Sequence, residues 1–353
     1  MKMGPIKPFA EQACPSLSVV VPCYNEEAVL EMLETRLSAA CAHLFADDYE
    51  IILVNDGSKD RTWSMICDLA ARNPCIVGVD LSRNHGQQLA VTAGLQLSRG
   101  DLVMIIDADL QDPPELLPDM VAKIDEGFDV VFGKRIQRRG ETLLKRFTSA
   151  LFYRVLNRLS EQDIPSDTGD FRLMTRRVVN QLNAMPERYR FIRGMISWVG
   201  FEQTALEYER DARAMGRSKY SYLRLAALGI DAITSFSTAP LRLASWMGSL
   251  MGLLGFALLG WAIYRWLENG TIVGWTSTVA MVLIMGSMQL FILGVFGSYL
   301  GRLYMESKHR PLYVVRDVRA QSRMETLPTL FAPTNNISMS GIAMEVRAPE
   351  LRR

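Results

Sequence analysis

Histidine is nearly missing from this chain: His43, His85 and His309 are scattered singly along 353 residues. An imidazole-based zinc centre needs such residues clustered, so the pattern argues against one. Cysteine is scarce too. The five present (Cys14, Cys23, Cys41, Cys67 and Cys75) are odd in number and show no C-x-x-C spacing. They read as reduced thiols of a cytosolic compartment, not as a disulfide framework. Charge of one sign is also lacking, because 39 Lys and Arg against 38 Asp and Glu leave +1. A general nucleic-acid binder carries a clear basic excess, so no nucleic-acid partner is expected, although local basic patches stay open. The opening "MKMGPIKPFAEQACPS" has no continuous apolar core of the signal-peptide kind. The domain beyond it is expected to stay on the side of the membrane where it is made.

Apolar residues are concentrated instead near the C-terminus. "LASWMGSLMGLLGFALLGWAIY" runs uncharged between Arg242 and Arg265, and a second uncharged stretch runs from Glu268 to Arg302. A helix needs about 20 apolar residues to cross a bilayer. Neither stretch shows the polar stripe of a soluble core helix. Two transmembrane helices joined by a short external loop around "LENGTIVGW" are therefore expected. Gly248, Gly252 and Gly255 in the first, and Gly286, Gly294, Gly297 and Gly301 in the second, permit close packing within or between chains. Basic residues flank the pair on one side: Arg217, Lys219, Arg224 and Arg242 before it, and Arg302, Lys308 and Arg310 after it. By the positive-inside rule both termini are expected in the cytoplasm. Just upstream, "YSYLRLAALGIDAITSFSTAPLRLAS" fits one or two helices lying in the interface, the first half ending at Pro240.

The first 215 or so residues alternate short apolar strands with helical segments. Strands are expected at 17–22, 49–56, 76–82, 101–109 and 129–135, with helices between them, for example Glu26 to Leu44 and Thr62 to Arg72. Such alternation implies a mostly parallel sheet covered on both faces. Ligands bind these sheets at the carboxyl ends of the strands.

Every polar cluster in this region falls at such an end: "PCYNEE", "NDGSKD", "SRNHGQ" and "DADLQD". Asp112, before Pro113 and Pro114, fits an ordinary helix cap. Asp107 and Asp109 stand two apart, and alternate residues of an extended segment point the same way, so they can grip one cation together. Oxygen ligands favour Mg²⁺ or Mn²⁺, which take one or two protein carboxylates and complete their shell from a diphosphate and water. His85, beside Gly86 in a loop, is read as serving shape or hydrogen bonding.

The ordered set "VVVPCYNEE", "VNDGSKDRT", "SRNHGQQLAVTAGL", "DADLQDPPE", "GDFRLM" and "GRSKYS", followed by two membrane helices, closely resembles the family 2 glycosyltransferases that load a sugar onto a polyprenyl phosphate. Bactoprenol glucosyltransferases of the serotype-conversion type are nearest, and dolichol-phosphate mannose synthases more distant. The resemblance covers about residues 17–305. With the patterns above it gives an N-terminal extension (1–16), a GT-A, Rossmann-like domain (17–218), interfacial amphipathic helices (219–241), two transmembrane helices (242–302) and a cytoplasmic tail (303–353); the unmatched part of that tail after about 320, with no sustained period and several Pro, Ser and Asn, is expected to be largely disordered.

By the same resemblance Pro22, Tyr24, Asn25 and Glu26 line the nucleoside pocket, Asp56 reads uracil or ribose, and Asp107, Asp109 and Gln111 form the metal and diphosphate motif. Arg172, Arg217 and Lys219 match positions near the phosphates. Asp170, with Asp167 as second choice, stands where the family's candidate base is found. The acceptor is a phosphate monoester carrying about −1.5 to −2 charge at neutral pH, so it barely needs deprotonation, and Asp170 is expected to orient or tune rather than act as a strong base. Positive charge to collect that acceptor is offered by Arg135, Arg138, Arg139, Arg172, Arg193, Arg217 and Lys219.

The expected reaction is an inverting, metal-dependent transfer of a hexose, glucose from UDP-glucose, to undecaprenyl phosphate on the cytoplasmic leaflet of a bacterial inner membrane. GDP-mannose, UDP-N-acetylglucosamine or a UDP-aminosugar would need much the same motifs. A processive polysaccharide synthase would carry Gln-x-x-Arg-Trp and more helices, and neither is visible. A non-catalytic membrane scaffold would not need the intact Asp107, Asp109 and Gln111 set. The family suggests a homo-oligomer, which the glycine-bearing helices permit.

Overall fold

Runs of β-branched residues build the sheet. The computed structural model describes residues 16–135, 168–208, 239–268 and 275–321 of the chain. Its centre is four parallel strands, β1 (Leu17–Cys23), β2 (Tyr49–Asn55), β3 (Ile76–Leu81) and β4 (Leu102–Ile105), lying in the spatial order β3-β2-β1-β4. Three helices make the crossovers: α1 (Leu30–Phe45), α2 (Thr62–Arg72) and α3 (Gln87–Leu97). Strand alternation sends Leu17, Val19 and Val21 to one core with α1 and α2, and Val20 to the other with α3. Close packing on the second face depends on Gly94, where an added Cβ would sit 2.3 Å from Val20 Cγ1.

The chain then continues as α4 (Leu117–Asp125), β5 (Val130–Arg135), β6 (Thr168–Thr175), α5 (Arg176–Ala184), α6 (Ile192–Val199) and β7 (Gln203–Tyr208). β6 lies antiparallel between β4 and β5, and β7 runs parallel to β5. The expected mostly parallel α/β sheet is thus present, with antiparallel strands added at its flanks. Because the order reverses between β1 and β4, their carboxyl ends open a crevice, the usual ligand site of such sheets. Pro22 tolerates its central strand for a geometric reason. Val20 faces β4 and its carbonyl takes the Ile106 N–H at 3.1 Å. Pro22, two residues on, faces the same way past the last β1–β4 pair, Val20 with Ile105, so its missing N–H leaves no ladder bond unmade.

Two long helices come next, α7 (Ala239–Leu267, 29 residues) and α8 (Trp275–Ser307, 33 residues). Their apolar windows, Pro240–Trp261 and Ile284–Ser307, have mean hydropathies of 1.6 and 1.4 and are only 6% and 0% buried. They are therefore not core helices of a soluble domain, and by length and composition both suit a bilayer. Pro240, expected to close an upstream helix, instead stands in the first turn of α7, where no intrahelical N–H is required. The segment 209–238, with the interfacial helices expected there, lies outside the described residues.

The C-terminal end of α8 docks on the α/β domain. The Arg302 guanidinium lies 4.6 Å from the Tyr189 ring centre, and the Arg188 N–H donates to Glu306 Oε1 at 2.8 Å. The chain then returns to the sheet as β8 (Val315–Arg319), antiparallel to β3 at the edge. That strand falls inside the segment expected to be a tail. Two other bounds differ from expectation. α1 starts at Leu30 rather than Glu26, because Asn25 adopts φ 56° and the chain turns before the helix can begin. β4 ends at Ile105 rather than Asp109, so the acidic motif is not extended strand.

Candidate functional site

The half of the crevice where a nucleotide is expected is stitched together by hydrogen bonds between loops. Asn25 donates its N–H to Ser58 Oγ at 3.0 Å and accepts the Lys59 N–H on its side-chain oxygen at 2.8 Å. The Glu26 N–H donates to Thr62 Oγ1 at 2.9 Å. Tyr24, immediately before them in the chain, is 39% exposed. At the end of β2 the Asp56 carboxylate accepts the His85 and Gly86 N–H groups at 2.7 and 2.9 Å. Burial raises the pKa of this group; the two N–H donors and Arg83 act in the opposite direction without cancelling the rise. Asp56 thus shapes the 82–86 loop directly. Gly57 makes the approach possible: its φ is +64°, and a Cβ there would lie 2.5 Å from the Arg83 and Asn84 backbone. His85 contributes through its backbone, while its Nε2 is buried without a hydrogen-bond partner.

The half where a metal is expected is a turn. Leu110 takes φ 59°, and the Gln111 N–H closes on Asp109 Oδ1 at 3.2 Å. Ala108 and Leu110 are buried at 3% and 4%, whereas Asp107 and Asp109 are half-buried, so the turn still presents its two aspartates away from the core. Gln111 and Asp112 are buried behind them. Asp112 does not cap the short helical turn Pro114–Leu116, contrary to the sequence expectation; it accepts the Tyr208 hydroxyl from the neighbouring strand.

The antiparallel pairing of β6, with Arg172 opposite Ile105, brings Asp170 to the same rim. Gln87 Nε2 donates to Asp107 Oδ1 at 2.7 Å and to Asp170 Oδ2 at 3.2 Å, linking the two carboxylates. Gln88 Nε2 reaches Asp170 Oδ2 at 3.3 Å while its Oε1 accepts the Ile192 N–H at 3.0 Å. Arg193 Nε donates to Asp170 Oδ1 at 2.7 Å. Arg172 is buried, bonded to the Gly169 carbonyl at 3.0 Å, with Nε left unpartnered. Burial, opposed by Asp170 and reinforced by Arg193, brings its pKa down to about 10.

The two carboxylates are driven apart electrostatically. Burial and the neighbouring Asp170, Asp112 and Asp109 push Asp107 up to about 7, with Arg193 opposing. Burial would raise Asp170 as well, but the charge and hydrogen bond of Arg193, then Arg172 and Gln88, outweigh it and hold the group below the ordinary carboxylate range. Among the described residues no three His, Cys, Asp or Glu side chains form a metal cage of their own. The donor set still suits Mg²⁺ or Mn²⁺: these ions need only one or two protein carboxylates beside a diphosphate, and Asp107 sits in a surplus of negative charge.

Of the other residues expected from the sequence, Arg135 ends β5 opposite Tyr208, and Asp167, Arg217 and Lys219 lie outside the described residues. Sequence reasoning gives Gln87 and Gln88 no role of their own. Their signal is their place inside the "SRNHGQQLAVTAGL" motif, immediately after Gly86, at the start of a helix that begins at the crevice.

A mostly parallel sheet with a loop-shaping aspartate after β2 and an Asp-x-Asp turn after β4, on either side of β1, is the arrangement that the comparisons place in a family. The glycosyl transferase family 2 model matches residues 18–182. The chain is 45% identical over 300 residues to the uncharacterized glycosyltransferase YkcC of Bacillus subtilis, covering 85% of this chain and 93% of that one. It is 40% identical over 302 residues to the bactoprenol glucosyl transferase of Shigella phage SfV, covering 85% and 98%. Among solved structures, TarS of S. aureus with UDP-GlcNAc aligns with a TM-score of 0.44 at 19% identity, over 62% of this chain and 66% of that one. The chain belongs to glycosyl transferase family 2.

Proposed function

We propose that the chain transfers glucose from UDP-glucose to undecaprenyl phosphate, with inversion, at the cytoplasmic face of the membrane. The observation that carries this reading is the junction of Asp107 with the Arg193–Asp170 pair beside buried Arg172, where a nucleotide crevice meets two guanidinium groups. The names of the Shigella phage relatives support the acceptor and the sugar. Exposed apolar helices fused to the domain supply a reason for a lipid substrate.

In the reaction an oxygen of the acceptor phosphate attacks the sugar C1 as the bond from C1 to the diphosphate breaks, and the electron pair leaves on the β-phosphate oxygen. Asp107 and Asp109, with Gln111 behind them, would hold Mg²⁺ or Mn²⁺, which when bound supplies positive charge beside the departing diphosphate. Arg172 and Arg193 attract the acceptor phosphate, since guanidinium pairs with phosphate bidentately. Asp170, kept ionised by both arginines, is a weak base; it sets the angle of Arg193. The Arg135, Arg217 and Lys219 cations complete the collection of the lipid phosphate from the membrane surface.

The test offers membranes containing the protein a panel of radiolabelled nucleotide sugars with undecaprenyl phosphate. Label should move into the lipid fraction from UDP-glucose, stop with EDTA and return with Mn²⁺ or Mg²⁺. Label from GDP-mannose or a UDP-aminosugar alone would reassign the donor. Absence of lipid-linked label from every donor would defeat the reading.

A further inference from the structure

We infer that Arg316, on the strand that comes after the second membrane helix, is a positioning residue for the nucleotide half of the active site. This rests on the reading of that half as a nucleotide pocket.

The connection begins at a buried charge. Asp80, on β3, is fully buried, and a carboxylate removed from water needs compensation. Arg316 donates from Nε to Asp80 Oδ2 at 2.6 Å, and its terminal NH2 lies at 2.6 Å from the same oxygen. The other oxygen, Oδ1, accepts the Asn55 Nδ2 at 2.7 Å. Asn55 is itself 1% exposed and is the residue immediately before Asp56. Its own Oδ1 accepts the Ser58 N–H at 3.2 Å, and Ser58 Oγ accepts the Asn25 N–H at 3.0 Å. Four residues, Arg316, Asp80, Asn55 and Ser58, thus form one hydrogen-bonded line from the edge of the sheet to the Tyr24–Glu26 loop.

A second arm runs beside it through the backbone. The Ser82 N–H donates to the Val314 carbonyl at 2.8 Å, which pins the start of the 82–86 loop. The far end of that loop is pinned by Asp56 through His85 and Gly86. Both arms start on the returning segment and both finish on groups that line the nucleotide pocket. Without them β3 would be an uncovered edge carrying a buried carboxylate, and the two loops would be held from one side only. The donor site is therefore complete only after the chain has passed its second membrane helix.

The experiment uses the full-length protein in nanodiscs, with Mn²⁺-dependent UDP binding by calorimetry and kinetics in both substrates. Arg316→Ala should raise the KM for UDP-glucose about tenfold and leave kcat and the KM for the lipid acceptor within about twofold, as expected for loosening worth one or two hydrogen bonds. Arg316→Lys, which keeps the charge facing Asp80, should recover most of the loss. Hydrogen exchange at residues 82–86 should quicken in the Ala variant and not in the Lys variant. If Arg316→Ala fails to fold, Arg316→Gln takes its place with the same expected split. A folded Ala or Gln variant with wild-type KM for the nucleotide sugar, or with a loss confined to kcat, would overturn the inference. Wild-type protein that binds no UDP would instead overturn the nucleotide reading beneath it.

Discussion

Asp107 and Asp170 are bridged by one glutamine amide yet are shifted in opposite directions, and in the proposed function that difference divides their work. Asp107, crowded by anions, calls for a cation; Asp170, held by arginine, remains charged without one. Asp107→Asn or Asp109→Ala should reduce transfer by at least about 100-fold, the scale of losing a key electrostatic stabiliser, with circular dichroism unchanged. Near-normal transfer by either purified variant would refute the metal assignment. Gln88→Ala removes donors to Asp170 and the acceptor for the Ile192 N–H, so we expect a loss of about 1–2 kcal/mol in stability and a lower kcat, read from chemical denaturation and steady-state rates. Much of this site is legible in the sequence. Asp56, Asp107 and Asp109 come directly after apolar runs, and a strand end is where a sheet exposes polar groups. The glutamines and the Arg193 contact are not legible, since helices α3 and α6 bring them together from distant parts of the chain and no local pattern records that meeting.

The elements divide in a similar way. β1, β2 and β3 are apolar and buried, so both their existence and their parallel pairing can be expected from alternation with helices. β6 is visible in the sequence only as a motif, because "GDFRLM" mixes site residues with core residues in one strand. β8 is not visible at all, because a short, half-polar edge strand such as "VRDVR" carries little hydrophobic signal, as edge strands usually do. Helix α3 is the most exposed to perturbation, since Gly94 touches Val20 at the crossing. Gly94→Ala should cost about 1–3 kcal/mol, the range for overpacking a core, and lower activity as well, because α3 carries Gln87 and Gln88 at its start. Thermal unfolding together with kcat checks this; a variant as stable and as active as wild type would show that α3 can shift freely.

Across the whole molecule, the proposed topology has the basic flanks hold both ends of the helix pair on the cytoplasmic side. With the domain in the cytoplasm, the turn after α7 faces outward, so Glu268→Cys should react with a membrane-impermeant thiol reagent in intact cells, whereas Lys308→Cys should react only after permeabilisation. The reverse pattern would invert the topology and disprove a cytoplasmic reaction. The length of α8 has its own consequence. Its 33 residues, at about 1.5 Å each, measure about 50 Å, against a hydrocarbon core about 30 Å thick. On the proposed topology, with the bilayer taking the earlier part of the helix, the surplus would emerge at the end that carries Arg302 and Glu306, which is clamped to the 188–189 loop only a few residues ahead of Arg193. Helix length would then act as a ruler: it would set the altitude of the catalytic rim over the bilayer, and with it how far the proposed lipid phosphate must rise to meet its sugar.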